Sequence, residues 1–197
     1  MGSTKTSAKR KKILDAAASI FSQKGFHQAR MDEIAEMAEV AKGTLYYNFS
    51  SKSQLFSATV TEGMEEIIAK IRAELISELP FEEHFELVVA TIVKLYIQHS
   101  DLARIIFNEI SSGIDDGVLV EIENVRNRFI EFIAEILDWG RSKGYVKEMD
   151  LKLVAVSLVG IIDSVCSHVM QHPDKGNEAI AVQTIHSILV SGVIRSA

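Results

Sequence analysis

Residues Gly25 to Phe56 read GFHQARMDEIAEMAEVAKGTLYYNFSSKSQLF. Met31, Ile34, Ala35 and Ala38 follow the i, i+3, i+4, i+7 spacing of a short amphipathic helix. A second short helix begins near Lys42. Four residues separate Leu45 from Phe49, which places them on one helix face, while Gly43 and Tyr47 share the opposite face. One face packs and the other is presented. Lys42 stands at the helix start, where the dipole and unpaired backbone N–H groups already favour an anion. Gly43 lets the helix end approach a grooved partner closely. Thr44 offers a hydroxyl and a methyl, and Tyr46 and Tyr47 offer aromatic edges tipped with hydroxyls, all suited to reading a groove. The spacing predicts a helix-turn-helix whose second helix reads double-stranded DNA.

The charge distribution agrees. The chain has 197 residues and a formal net charge of −6. Through residue 56, nine basic residues stand against five acidic ones, a surplus of +4, so the remainder carries −10. A basic amino-terminal module on an acidic body is the footprint of a polyanion-binding head on a non-binding body. Taken alone, the same residues also fit an ordinary solvated lysine cluster.

Outward from this stretch the chain reads as helix nearly everywhere. Ile13, Ala17, Ile20 and Phe21 form an apolar stripe that stops at Lys24-Gly25. A long helix is expected over 53–78, with Phe56, Val60, Met64, Ile67, Ile71 and Leu75 on one face. Further patterns cover 82–99, 101–111, 116–142, 150–172 and 177–195. The only prolines, Pro80 and Pro173, fall between patterns. The expected fold is all-α, with about nine helices. One cysteine, Cys166, excludes an internal disulfide framework and suits a reducing cytoplasm. The apolar run from Leu153 to Val169 is interrupted by Ser157, Asp163, Ser164 and Ser167, which fits a buried or interface helix better than a membrane span.

The Gly25–Phe56 stretch resembles the DNA-binding domain of TetR-family transcriptional regulators, whose pattern reads G-[FY]-x-x-T-T-x-x-x-I-A-x-x-A-G-V-S-x-G-T-[LI]-Y-x-[HY]-F-x-[SN]-K-x-x-L. The resemblance covers about a quarter of the chain. Ala29 and Arg30 replace the usual threonine pair, Glu39 stands where the turn usually has glycine, and Ala41 replaces the usual serine cap. By this resemblance Lys42, Gly43, Thr44 and Tyr47 approach bases, while Arg30, Tyr46, Asn48 and Lys52 hold backbone phosphates. It implies a DNA-binding head over 1–52 and a ligand-binding and dimerisation body over 53–197.

Both final helices are apolar almost all round and need cover on two sides. In the resembled family that cover is the same helix pair of a second subunit, and a twofold contact makes the operator palindromic. A small-molecule pocket is expected in the body, with Met64, Tyr96, Phe107, Asn108, Phe129, Phe132 and Asp163 as candidate lining residues, because they mix apolar stripes with occasional polar groups. The bland reading of each is packing. Gly160-x-x-Asp163 followed by an apolar run to Met170 is similar to the last-but-one helix of acyl-CoA-responsive members. His168 and His172 have metal-compatible spacing, but no third ligand accompanies them, so no metal or cofactor is expected.

No nucleophile elbow, phosphate loop, HExxH or Rossmann fingerprint occurs, so the chain is not expected to be an enzyme. The expected protein is a dimeric, cytoplasmic, ligand-responsive repressor, released from a palindromic operator by a hydrophobic effector such as a long-chain acyl-CoA or fatty acid. The rivals are a sensor of flat aromatic drugs and a ligand-independent architectural DNA-binding protein. Release is expected when effector favours a conformer whose long fourth helix tilts the heads away from successive major grooves.

Overall fold

The computed structural model describes residues 2–74, 81–108, 116–172, 174 and 177–194, with side chains described except at 2–7, 81, 82, 84, 107 and 108. Among these residues the regular elements are helices: α1 (Gly2–Gln28), α2 (Met31–Met37), α3 (Lys42–Asn48), α4 (Lys52–Glu74), α5 (Phe81–Gln98), α6 (Ser100–Asn108), α7 (Asp116–Ser142), α8 (Leu151–Gln171) and α9 (Glu178–Gly192). The fold is all-α. The expected helical tails over 75–78 and 109–111 lie outside the described residues.

The chain divides into two compact units, Met1–Glu66 with Ser100–Arg126, and Ile67–His99 with Asn127–Ala197. In the first, Phe21, Phe26 and Phe56 form an aromatic cluster, with centroids 5.0 Å apart for Phe21–Phe56 and 5.3 Å for Phe26–Phe56, both edge-on. Ile13, Ile34, Leu45, Phe49 and Leu55 complete the buried centre. The Ser22 hydroxyl meets Asp101 Oδ1 at 2.6 Å, tying α6 to α1. In the second unit α5 packs on α8 and α9, and α8 packs on α9. Asp150 caps α8 by accepting from the backbone N–H groups of Lys152 and Leu153, and Asn177 caps α9 by accepting from that of Ile180. Lys147 Nζ donates to the carbonyls of Ser191 and Gly192 at the far end of α9, where a cation also complements the dipole.

Two backbone positions shape the head. Gly25 breaks α1 at φ 71°, ψ 166°, a region open essentially only to glycine, and turns the chain toward α2. Glu39, at the turn between α2 and α3, has φ 55°. The left-handed turn is therefore kept although glycine is absent. The Val40 N–H reaches the Ala35 carbonyl at 3.0 Å, and Glu39 receives an exposed ion pair from Lys12 at 3.3 Å.

These two positions should respond oppositely in denaturant titrations. Gly25→Ala should destabilise by about 1–3 kcal/mol, because alanine cannot relax in that region. Glu39→Gly should stabilise by roughly 0.5–1 kcal/mol, since relief of a left-handed non-glycine residue (~1–2 kcal/mol) exceeds glycine's added chain entropy. Loss of the exposed Lys12 pair contributes little. A lower midpoint for Glu39→Gly would contradict this assignment of strain.

Candidate functional site

Helix α3 has only seven residues, too few to be stable alone, so its orientation depends on what it buries. Leu45 and Phe49 are almost completely buried, and the Arg10 guanidinium lies 4.5 Å from the Phe49 ring centroid. The opposite face is presented, with Tyr47 88% exposed and Tyr46 44% exposed. Lys42 and Gly43 are exposed, Thr44 and Asn48 half-buried, and Arg30 is exposed at the start of α2. The expected absence of side-chain caps holds at both starts: neither Arg30 nor Ala41 makes one.

Gly43 is informative because nothing inside the chain requires it. A Cβ built there would meet no atom within 4 Å. Glycine in a helix costs about 1 kcal/mol relative to alanine. Internal packing therefore does not account for the missing side chain.

Several basic side chains of the head are held by acidic partners. Lys42 Nζ pairs with Asp32 on α2 at 2.8 Å, and this hydrogen bond raises the Lys42 pKa above its ordinary value. Arg10 pairs with Glu62, Lys11 with Glu66 at 2.9 Å, and Lys24 with Glu33 at 3.0 Å. Asn48 donates its amide to the Thr44 carbonyl at 2.8 Å. Lys52 has an internal task that sequence reasoning missed. Its ammonium donates to the carbonyls of His27 (3.0 Å) and Ala29 (3.2 Å) and lies 4.7 Å from the Phe26 ring centroid. Sequence offered no signal for a contact spanning 25 positions.

The second unit holds an apolar cavity of about 450 Å³, counting its open mouth. Phe85, Val88, Val89 and Ile92 line it from α5, and Ile133, Ile136 and Leu137 from α7. Leu158 and Ile162 of α8 and Ile185 and Leu189 of α9 complete the wall. No polar side chain is among them. None of the seven residues expected to line a pocket is either. Met64 is buried in the first unit, and the side chains of Phe107 and Asn108 lie outside the described residues. Phe129 and Phe132 are buried with ring centroids 6.4 Å apart, and Arg72 lies 4.8 Å from the Phe132 ring centroid.

Tyr96 and Asp163 are brought together. The Tyr96 hydroxyl donates to Asp163 Oδ1 at 2.5 Å and sits 3.0 Å from Ser167 Oγ. Burial, then the bond to Asp163, raises the Tyr96 pKa. Burial, then the Asp163 charge, pushes the neighbouring Cys166 thiol up to about 12, so it stays protonated. His168 and His172 stack at 4.4 Å, and among the described residues no three His, Cys, Asp or Glu side chains gather as a metal site.

Comparison with known proteins adds independent findings. The sequence model of bacterial regulatory proteins of the tetR family matches residues 13–59, and that of the YsiA-like protein C-terminal region matches residues 60–192. The fatty acid metabolism regulator protein of Bacillus subtilis is 25% identical over 183 residues, 92% of this chain and 93% of that protein. The solved fatty acid degradation regulator FadR from Bacillus halodurans superposes with a TM-score of 0.81 at 27% identity, covering 93% of this chain and 95% of the other. A putative fatty acid metabolism regulator of Clostridium perfringens gives 0.80 at 26% identity, covering 94% of this chain and all of that one.

The Lys52 clamp carries its own test. Lys52→Met keeps much of the stem but removes both charged donors, so it should lower the stability of the folded chain by about 1–2 kcal/mol. A denaturation midpoint equal to wild type would show that the two carbonyls gain nothing from it.

Proposed function

Since the chain belongs to the TetR family of ligand-responsive transcriptional regulators and is not an enzyme, we propose that it is a dimeric repressor, released from a palindromic operator by a hydrophobic acyl effector. The DNA reading rests above all on Gly43, a helical glycine that no internal contact explains, beside the outward Tyr47. Lys42, Gly43, Thr44 and Tyr47 face bases. Arg30, Tyr46 and Asn48 hold phosphates, joined by Lys52 from its tethered position. The Lys42–Asp32 ion pair is exposed and worth about 0–1 kcal/mol, so DNA can displace the carboxylate from Lys42. The head spans 1–52 and the ligand-binding and dimerisation body 53–197, in the cytoplasm.

Apolar side chains left exposed on α8 and α9 support dimerisation through them. Leu153 is 65% exposed, Val156 42%, Ile180 48% and Ile188 45%. By length and composition α8 is also apolar enough to cross a membrane. Its outward face, however, carries Ser157, Gly160 and Ser164 beside Leu153, and a Cβ at Gly160 would meet nothing within 4 Å. Such a stripe suits the close approach of another helix. A second copy of the pair fits it.

The effector reading rests on the wholly apolar lining of the cavity and on relatives named for fatty acid regulation. An apolar wall suits a hydrocarbon chain, each buried methylene of which contributes about 0.8 kcal/mol. Coupling of about 1–3 kcal/mol to the DNA-binding conformer suffices for a roughly 5–150-fold change in operator affinity.

Gly43→Ala separates folding from reading. It should stabilise the chain by about 0.5–1 kcal/mol, yet weaken binding to the operator about tenfold or more by holding the helix off the groove. Unchanged operator affinity in a mobility-shift titration would remove the main support for α3 as reading helix.

Interface placement is tested by neighbouring residues. Ile188→Glu should leave a helical, folded monomer by sedimentation that has lost tight operator binding. Leu189→Glu buries an unpaired carboxylate in the cavity wall and should destabilise the fold by several kcal/mol instead. A dimeric Ile188→Glu protein would place the interface elsewhere.

A further inference from the structure

Helix α3 carries one ionised side chain, Lys42. Its ammonium meets both carboxylate oxygens of Asp32 on α2, Oδ1 at 2.8 Å and Oδ2 at 2.9 Å. Arg10, Lys11, Lys12 and Lys24 are likewise paired, but none of them belongs to α3. Helix α2 has no basic residue of its own, so Lys42 is the cation that balances Asp32. Both side chains are exposed, and the fold gains little from such a pair. An ammonium has three N–H donors, and the two oxygens of Asp32 leave at least one of them available. A carboxylate beside the presented face also opposes any phosphate that approaches it.

We propose that Asp32 determines sequence specificity: it keeps Lys42 available to a base edge while withholding it from phosphates, and so weakens binding to random DNA more than binding to the operator. This rests on the proposed reading of DNA by α3. Binding to random sequence comes almost entirely from neutralising phosphates. For Lys42 to neutralise one, it must either bring Asp32 close to that phosphate or break away and leave a bare carboxylate beside the polyanion. Both are unfavourable. An operator offers Lys42 a different partner, because a guanine edge presents uncharged N7 and O6 acceptors in the major groove. Lys42 can use its remaining donor there without leaving Asp32. The pair thus stays intact on the right sequence and opposes binding on the wrong one, which lowers absolute affinity but raises the ratio between them.

The test uses two probes: the palindromic duplex that the wild-type protein selects most strongly from a random pool, and a duplex of the same bases in scrambled order. Affinity of the full chain for each is measured by fluorescence anisotropy over a series of salt concentrations, for wild type, Asp32→Asn, Lys42→Met and the double variant. Asp32→Asn should tighten binding to the scrambled duplex about tenfold and to the selected duplex by no more than about threefold. The released lysine should also steepen log affinity against log salt on the scrambled duplex by about 1. In the Lys42→Met background, Asp32→Asn should change both affinities by the same factor, because only a general repulsion is then removed. Asp32→Ser removes the same charge and carries the same expectations should Asp32→Asn lose its helical spectrum.

If removing the Asp32 charge shifts both duplexes equally while Lys42 is present, Asp32 is a general surface charge and this inference is overturned. An unchanged or weakened affinity for the scrambled duplex overturns it as well, since Asp32 would then only orient Lys42. Either result leaves the wild-type preference for the selected duplex, and with it the DNA reading, standing. If wild type selects no duplex from the pool, the DNA reading itself fails and this inference fails with it.

Discussion

Burial of Leu45 and Phe49 sets the rotation of α3, and the presented surface of the head depends on that rotation. A seven-residue helix has no stability of its own, so the two apolar anchors decide which way it faces. With both inside, Gly43 and Tyr47 must point away. Arg10 covers the Phe49 ring and is itself held by Glu62 of α4, so the anchor is fastened to two longer helices. Glu39 completes the restraint by accepting a left-handed backbone, so that α3 leaves α2 at the angle the anchors need.

Electrostatics in the head are arranged differently from what composition suggests. The counted surplus through residue 56 treats Arg10 and Lys11 as uncompensated, yet both are paired by Glu62 and Glu66, which lie beyond that window. Lys12, Lys24 and Lys42 are paired as well. Exposed pairs of this kind contribute little stability but restrict where long side chains can swing. On the proposed reading, Lys42, already aimed by Asp32, can exchange its carboxylate partner for DNA without first being ordered. On the same reading, the acidic residues near the presented face act as holders, and polyanion attraction depends on exchange rather than on bare charge.

Some of this was legible in the sequence because it is local. Four-residue spacing told Leu45 from Tyr47, Gly25 marked a break, and the missing caps at Arg30 and Ala41 followed from residue type. The internal task of Lys52 was not legible, because its carbonyl partners, His27 at the end of α1 and Ala29 just beyond it, lie far back along the chain. Cavity residues were harder still. Every body helix has an apolar stripe, and spacing gives the face that turns inward but not which inward residues meet a void. That depends on how far helices slide along one another. Expectation favoured aromatic residues such as Phe129 and Phe132, which fill space, whereas the void is bordered mainly by branched aliphatic side chains that leave it.

Helix α8 connects these parts. Leu158 and Ile162 face the cavity, while Leu153, Ser157, Gly160 and Ser164 face outward toward the proposed second subunit. A helix of 21 residues with an ordered amino-terminal cap moves largely as a rod, so filling the cavity cannot displace its inner face without displacing its outer one. Gly160 sharpens the link. Where no side chain stands between two backbones, a shift of a few tenths of an ångström changes packing that a longer side chain would absorb by rotating. On the proposed reading, effector occupancy and subunit geometry are two descriptions of the position of one helix. Ligand binding and the spacing of the DNA-reading heads then depend on the same helix through different faces of it.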